Sequence, residues 1–348
     1  MYAPIPERGE LWRHAEVARD LGSPFVAAVL EAGQRQLHRA PRTAALIRDW
    51  PGDPLRDAVA VRFNAGLHAI ARRGSSPALS ALYAGQHDDF DGAIGEALAA
   101  HDQLMATSMH DTPQTNEVGR SGAIAAALME ASREFGLPFE LLEIGSSCGL
   151  NLNLGLYAFE LGGIVAGDAG SPVRVAPSWR GEALVRAPLT IASARGTDLN
   201  PLRADDMATR DRLLSYIWAD QPQRADRLEQ ALALAQRHPP QVDRGDACTW
   251  LAARLDEPQR AGICRVVVHS MVLQYLPQAQ RDAIAAMLAQ AGSDATIDRP
   301  LARISFEWNT MRRQVQLLLT CWPSGQERLL ATCHAYGDWL DWSPGAHA

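Results

Sequence analysis

Positive charge is in short supply in this chain. Its 33 Lys and Arg residues stand against 40 Asp and Glu, a net charge of −7. That balance excludes the broad basic face that nucleic-acid binding needs. The small cluster Arg35, His38, Arg39 and Arg42 reads as a solvated helix face. Cysteine is scarce too. Cys148, Cys248, Cys264, Cys321 and Cys333 form no C-x-x-C pair, which excludes a zinc ribbon and suits buried, reduced thiols. No apolar run approaches the roughly 20 residues of a membrane span. Met1 to Gly9 holds no apolar core of signal-peptide type. His14, His68, His87, His101 and His110 are scattered without a metal-ligand spacing such as H-E-x-x-H, so no metal site is expected. The expectation is a cytoplasmic protein with no membrane or nucleic-acid partner. Oligomeric state is not legible.

What is present is an ordinary globular balance, 47% apolar and 21% charged, over 348 residues. Leu11–Leu21, Pro24–His38, Asp57–Arg73 and Ile94–Met109 carry helix-spaced apolar residues. No strand signal precedes Pro138. Residues 1–111 therefore read as a helical N-terminal region and 112–348 as an α/β domain. Thr112-Pro113 resembles a helix start, and the helix is expected to run to Phe135, with Gly136 ending it. Its short link to the next strand predicts an antiparallel neighbour. That arrangement carries Gln114, Asn116, Glu117 and Arg120 to the carboxyl end of the strand, where open parallel sheets bind ligands. These four residues, with Tyr275, are the candidate substrate-binding group, Arg120 facing a carboxylate.

The stretch Leu141-Leu142-Glu143-Ile144-Gly145-Ser146-Ser147-Cys148-Gly149-Leu150-Asn151 organises the rest. An apolar strand ends in an acid, a small-residue turn follows, and Gly149 opens an expected helix. Such a turn presents backbone N–H groups to a polar or anionic ligand. Residues 155–188 read as an irregular insertion, with one short strand at Val173–Ala176. Leu189–Ala194 is a second strand, and Asp198 just beyond it is placed either for ribose hydroxyls or as an Asx turn. Gln241–Arg244 is a third strand, followed by Asp246, either a ligand residue or a helix cap. Cys264–His269 is the clearest buried strand and Ala302–Glu307 a fifth. Val315–Cys321 and Arg328–His334 flank a hairpin turn.

The spacing around Gly145 is close to E-x-G-x-G-x-G, with Ser147 in place of the middle glycine. With G-x-D after the second strand, G-D-A after the third and V-L-Q-Y-L-P after the fourth, residues 113 onward resemble class I S-adenosylmethionine-dependent methyltransferases. The resemblance implies a Rossmann-like, mostly parallel sheet with an antiparallel terminal hairpin, and S-adenosylmethionine as cofactor. It assigns Glu143, Gly145 and Gly149 to the cofactor's amino-acid end and the loop around it, with Ser147 of that loop also counted as cofactor-binding, Asp198 to the ribose and Asp246 to the adenine. His269, at the end of the fourth strand, is the candidate general base. The substrate would be a small molecule. A non-catalytic, degenerate version of the same fold, acting as a sensor of a nucleotide-like ligand or as an interaction module, is the alternative. The whole chain also resembles the bacterial domain-of-unknown-function family 2332. The shared phrases are Gln114–Arg120, Gly149–Asn153, Tyr216–Gln221, and His269-Ser270 with Gln274–Pro277, Ala219 standing where that family is expected to carry proline.

Overall fold

The computed structural model describes residues 9–345. The stretch read as lacking a signal-type core falls almost wholly in residues 1–8, outside the described residues. Six helices come first: α1 Glu10–Asp20, α2 Pro24–Gln36, α3 Pro41–Arg48, α4 Val59–Arg72, α5 Pro77–Tyr83 and α6 Phe90–His110. Ser23 caps α2 by accepting the Val26 N–H at 3.2 Å, and proline opens α2, α3 and α5. The short α3 and α5 escape pattern reading because each is about two turns long.

Next come α7 Ser121–Phe135, β1 Phe139–Ile144, β2 Ala158–Leu161, β3 Ile164–Gly167, β4 Arg174–Val175, β5 Ser178–Gly181 and β6 Ile191–Asp198. The chain continues through α8 Met207–Ser215, α9 Pro222–Arg237, β7 Val242–Arg244, α10 Ala247–Leu255, β8 Cys264–Ser270 and α11 Gln278–Ser293. It closes with β9 Leu301–Trp308, β10 Val315–Trp322, β11 Gln326–Cys333 and β12 Trp339–Trp342. Two compact units result. One holds the described residues up to Thr115 together with Met207–Asp226, the other Asn116–Asp206 and the described residues from Arg227 on.

The first unit is helical, with α2, α3 and α4 packed on α6 and α4 on α8. His68 of α4 is buried against the Ser215 carbonyl at 3.1 Å. Burial, with Arg72 nearby, lowers its pKa to about 4, so it is neutral across physiological pH.

The second unit is α/β. Its nine-stranded sheet runs β5-β12-β11-β10-β9-β8-β1-β6-β7. The core pairs β7-β6, β6-β1, β1-β8 and β8-β9 are parallel, and β9 through β12 form an antiparallel meander. Taken from β1, the chain steps to β6 and β7 on one side, then returns to β8 and β9 on the other. That is the doubly wound order 3-2-1-4-5, whose switch point lies between β1 and β8. Leu142, Ile144 and Val267 face α10 and α11 through Leu251, Ile284 and Leu288, all buried. Each such side chain contributes about 1.5–3 kcal/mol of apolar burial. Among the described residues no helix is long and apolar enough to cross a membrane.

Three expectations need correction. The expected helix from Thr112 begins only at Ser121, after a 3₁₀ turn at Val118–Arg120. Asn116 sits at φ 40, in the left-handed region, and so cannot continue a helix. No α-helix follows Gly149 either, since Leu150–Leu156 is 3₁₀ throughout and runs straight into β2. The insertion at 155–188 is not irregular. It forms a separate sheet, β3-β2-β4, and supplies β5 to the edge of the large one, parallel to β12.

Candidate functional site

The switch point between β1 and β8 gathers the residues that carry chemistry. Gly145 and Gly149 both take φ 74, and Ser147 between them takes φ 55. The missing Cβ atoms matter for packing. A Cβ on Gly145 would lie 2.4 Å from Val272, and one on Gly149 would lie 2.7 Å from Val242 and 2.8 Å from Pro240. Both glycines therefore admit neighbouring side chains, where the sequence suggested close approach of a ligand.

The loop's amides are also spoken for. Gly145 and Ser146 donate to the Thr197 carbonyl at 2.9 and 3.0 Å, and Gly149 to Ser146 at 2.7 Å. Ser147 N–H donates to Asp198 Oδ2 at 2.8 Å. Cys148 and Leu150 both donate to Asn116 Oδ1 at 3.1 Å. The expectation of free N–H groups is thus corrected: six successive loop positions are satisfied inside the protein. What the loop leaves unpartnered are side-chain oxygens. Glu143 Oε2, Ser147 Oγ and Asn151 Oδ1 are buried with no hydrogen-bond partner among the described residues. Each such atom costs about 1–3 kcal/mol unless a partner arrives. Burial pushes the Glu143 carboxyl up to about 7; Ser146 and Asn151 beside it pull the other way, Asp198 adds to the rise and Arg120 opposes it.

Asn116 and Arg120 lie at this edge. Asn116 holds the loop from one side through the two bonds above. Glu117 is buried and accepts the Gly119 N–H at 3.1 Å, ending the extended segment and starting the 3₁₀ turn. Arg120 is 8% exposed. Its Nε donates to Ala335 O at 3.0 Å and Nη1 to Ser270 O at 3.4 Å, and its guanidinium stands 5.9 Å over the Phe306 ring. Gly119 permits this closeness, because a Cβ there would meet the Tyr336 carbonyl at 2.4 Å. Burial lowers the Arg120 pKa, while Glu117, Tyr336, Glu307 and Tyr275 raise it, in that order. Tyr275 is half-buried on the turn after β8. Gln114 is buried but belongs to the helical unit.

His269 is placed differently from its expected role. Strand alternation puts it on the face of Leu142 and Ile144, opposite the face of Glu143. It is fully buried. Arg303 Nε donates to its Nε2 at 3.0 Å, so Nδ1 carries the proton and donates to Glu307 Oε1 at 2.9 Å. Burial keeps the ring neutral, with Arg303 helping and Glu307 opposing. Both nitrogens are occupied, and no lone pair is left for a substrate proton. In this arrangement the ring of His269 links Arg303 to Glu307. The same Glu307 oxygen also accepts the Val272 and Leu273 N–H groups at 3.1 and 3.3 Å. The Arg303–His269–Glu307 chain thereby fixes the turn carrying Tyr275.

Asp198 divides its carboxylate between Ser147 N–H and the Asn200 N–H, also at 2.8 Å, an Asx turn that ties β6 to the glycine loop. Asp246 caps α10 by accepting from Thr249 N at 3.0 Å, which was the alternative reading of this residue. Cys148 is buried within the loop, and burial pushes its thiol up to about 12, with Asp205 adding to the rise.

Sequence reasoning missed Arg303, Glu307, Asn151, Ala335 and Tyr336. A signal existed for the first two: Arg303, Ser305 and Glu307 are period-two polar residues in an otherwise apolar strand, a buried polar row. Ala335 and Tyr336 had none, being more than 200 residues from Arg120. The site also concentrates backbone strain. Of the non-glycine residues described at positive φ, Asn116, Ser147 and Met271 all lie here. Such strain clusters at functional sites.

A family model described as an uncharacterized protein conserved in bacteria (DUF2332) matches residues 8–342. Comparison with curated proteins and with solved structures gave no match.

Proposed function

We propose that this chain, which belongs to the DUF2332 family of uncharacterized proteins conserved in bacteria, binds S-adenosylmethionine at the switch point and methylates a small molecule. The observation that carries the reading is the group of buried, unpartnered oxygens on Glu143, Ser147 and Asn151. Buried acceptors of this kind suit an ammonium group, which brings three donors and a positive charge. The cofactor's amino-acid end carries such a group. Asp198, at the carboxyl end of the neighbouring strand, stands where ribose hydroxyls fall in the same doubly wound arrangement. Bound there, the cofactor would supply an electrophilic methyl group. The protein's part is positioning and exclusion of water. Glu143, Ser147 and Asn151 hold the ammonium, Asn116 fixes the loop, and the Arg303–His269–Glu307 chain fixes the turn with Tyr275.

Two observations favour a second, non-catalytic reading, that of a ligand sensor on the same scaffold. The loop amides are consumed internally, and His269 has no free nitrogen. One experiment separates the readings. Equilibrium binding of S-adenosylhomocysteine together with methyl transfer from labelled S-adenosylmethionine to a bacterial small-molecule extract supports the enzyme. Binding with no transfer supports the sensor. No binding removes the enzyme reading.

A further inference from the structure

Arg120 is a buried cation whose charge is not balanced by direct contact. Its exposure is 8%, yet among the described residues it makes no ion pair, and Nη2 makes no hydrogen bond. The bonds it does make, from Nε to Ala335 O and from Nη1 to Ser270 O, are to carbonyls that hold it in place. Its nearest carboxylates have other work. Glu117 accepts the Gly119 N–H, and Glu307 accepts from His269, Val272 and Leu273. A buried charge with no carboxylate in direct contact is costly, and a ligand that brings one offsets the cost.

We propose that Arg120 is the anchor for a carboxylate of the bound ligand, received end-on by Nη1 and Nη2. The free edge of the guanidinium fork matches the two oxygens of a carboxylate. Glu117 and Glu307 already act on the same guanidinium, so a singly charged carboxylate suits the site better than a phosphate dianion. Phe306 beneath the guanidinium, with the half-buried Tyr275 and Tyr336, gives this end of the site an aromatic floor and flank. The carboxylate comes either from the amino-acid end of the cofactor or from the substrate itself. The inference deepens the proposed function, but its chemistry holds for any acid bound at this edge.

The test uses the full chain and two pairs of probes. S-adenosylhomocysteine is compared with its decarboxylated analogue, and benzoate with benzamide, by calorimetry and ligand-observed NMR. Benzoate is titrated both alone and with saturating S-adenosylhomocysteine. Loss of about tenfold or more in affinity on removing the nucleoside's carboxylate assigns the anchor to the cofactor. Benzoate binding that persists beside S-adenosylhomocysteine, with benzamide silent, assigns it to the substrate. In either case Arg120→Met removes the preference and Arg120→Lys keeps part of it. Neither acid outbinding its neutral partner in the wild-type protein overturns the proposal, even should Arg120→Met fail to fold. If S-adenosylhomocysteine does not bind while benzoate does, the methyltransferase reading falls and the carboxylate anchor stands. If S-adenosylhomocysteine binds with no dependence on its carboxylate and benzoate is silent, the reverse holds.

Discussion

Glu143 carries the clearest consequence at the scale of single residues. Its folded pKa is raised to about 7 from 4.5 by burial. For a raised carboxyl, the folded state favours the protonated form. That stability is fully present below the unfolded value and is lost as pH rises through about 7. At 1.36 kcal/mol per unit the loss is about 3 kcal/mol. Glu143→Gln removes the slope. In urea unfolding from pH 5 to 8, wild type should weaken relative to the variant as pH rises. Parallel profiles would show that Glu143 ionises normally. Cys148 makes the opposite kind of prediction, one of silence. With its thiol pushed up to about 12, it should resist a disulfide reagent at pH 8 until the protein unfolds. Rapid labelling mapped to Cys148 in the folded protein would contradict its buried placement.

At the scale of elements, the tie between the Asn116 segment and the glycine loop governs the site. One oxygen, Asn116 Oδ1, satisfies two buried amides, those of Cys148 and Leu150. Asn116→Ala leaves both unpaired and places alanine at φ 40. A cost of roughly 2–4 kcal/mol follows from the unmet hydrogen bonds. Asn116→Asp keeps the acceptor and should lose less than half as much. Equal losses in denaturant unfolding would mean that the left-handed backbone, and not the amide oxygen, is what asparagine provides. The elements themselves were largely legible. β1, β8 and β9 are apolar runs bounded by turns, whereas α7, expected beside β1, packs mainly on β9 and β10. The placing of Asn116 and Arg120 at the edge beside the glycine loop was legible, since they precede the helix that leads into β1. The form of that edge was not. A left-handed Asn116 is decided by two amides more than 30 residues away, and no local pattern encodes it. The partners of His269 were not legible, because a strand-end histidine looks the same whether they are solvent or the buried Arg303 and Glu307.

At the scale of the whole molecule, the resemblance implied a mostly parallel sheet with an antiparallel end, whereas the strand order and the path of the chain were not legible. The stretch 155–188 looked irregular because its strands are only two to four residues long. Such strands are stabilised by pairing, with β5 found only through β12 at the far end of the chain. The return of Met207–Asp226 to the helical unit is likewise set by contact between α4 and α8, distant in sequence and each an ordinary helix by pattern. The buried, unpartnered oxygens of Glu143, Ser147 and Asn151 are proposed to receive the amino-acid end of a nucleoside. Thermal and calorimetric titration of the full chain with S-adenosylhomocysteine tests that proposal most directly. At about 100 times the dissociation constant the ligand should stabilise the fold by roughly 2.7 kcal/mol. Affinity should fall as pH drops below about 7, where Glu143 must give up a proton to hold the ammonium. No heat and no thermal shift at millimolar ligand, or a preferential shift with a nicotinamide dinucleotide, would contradict it.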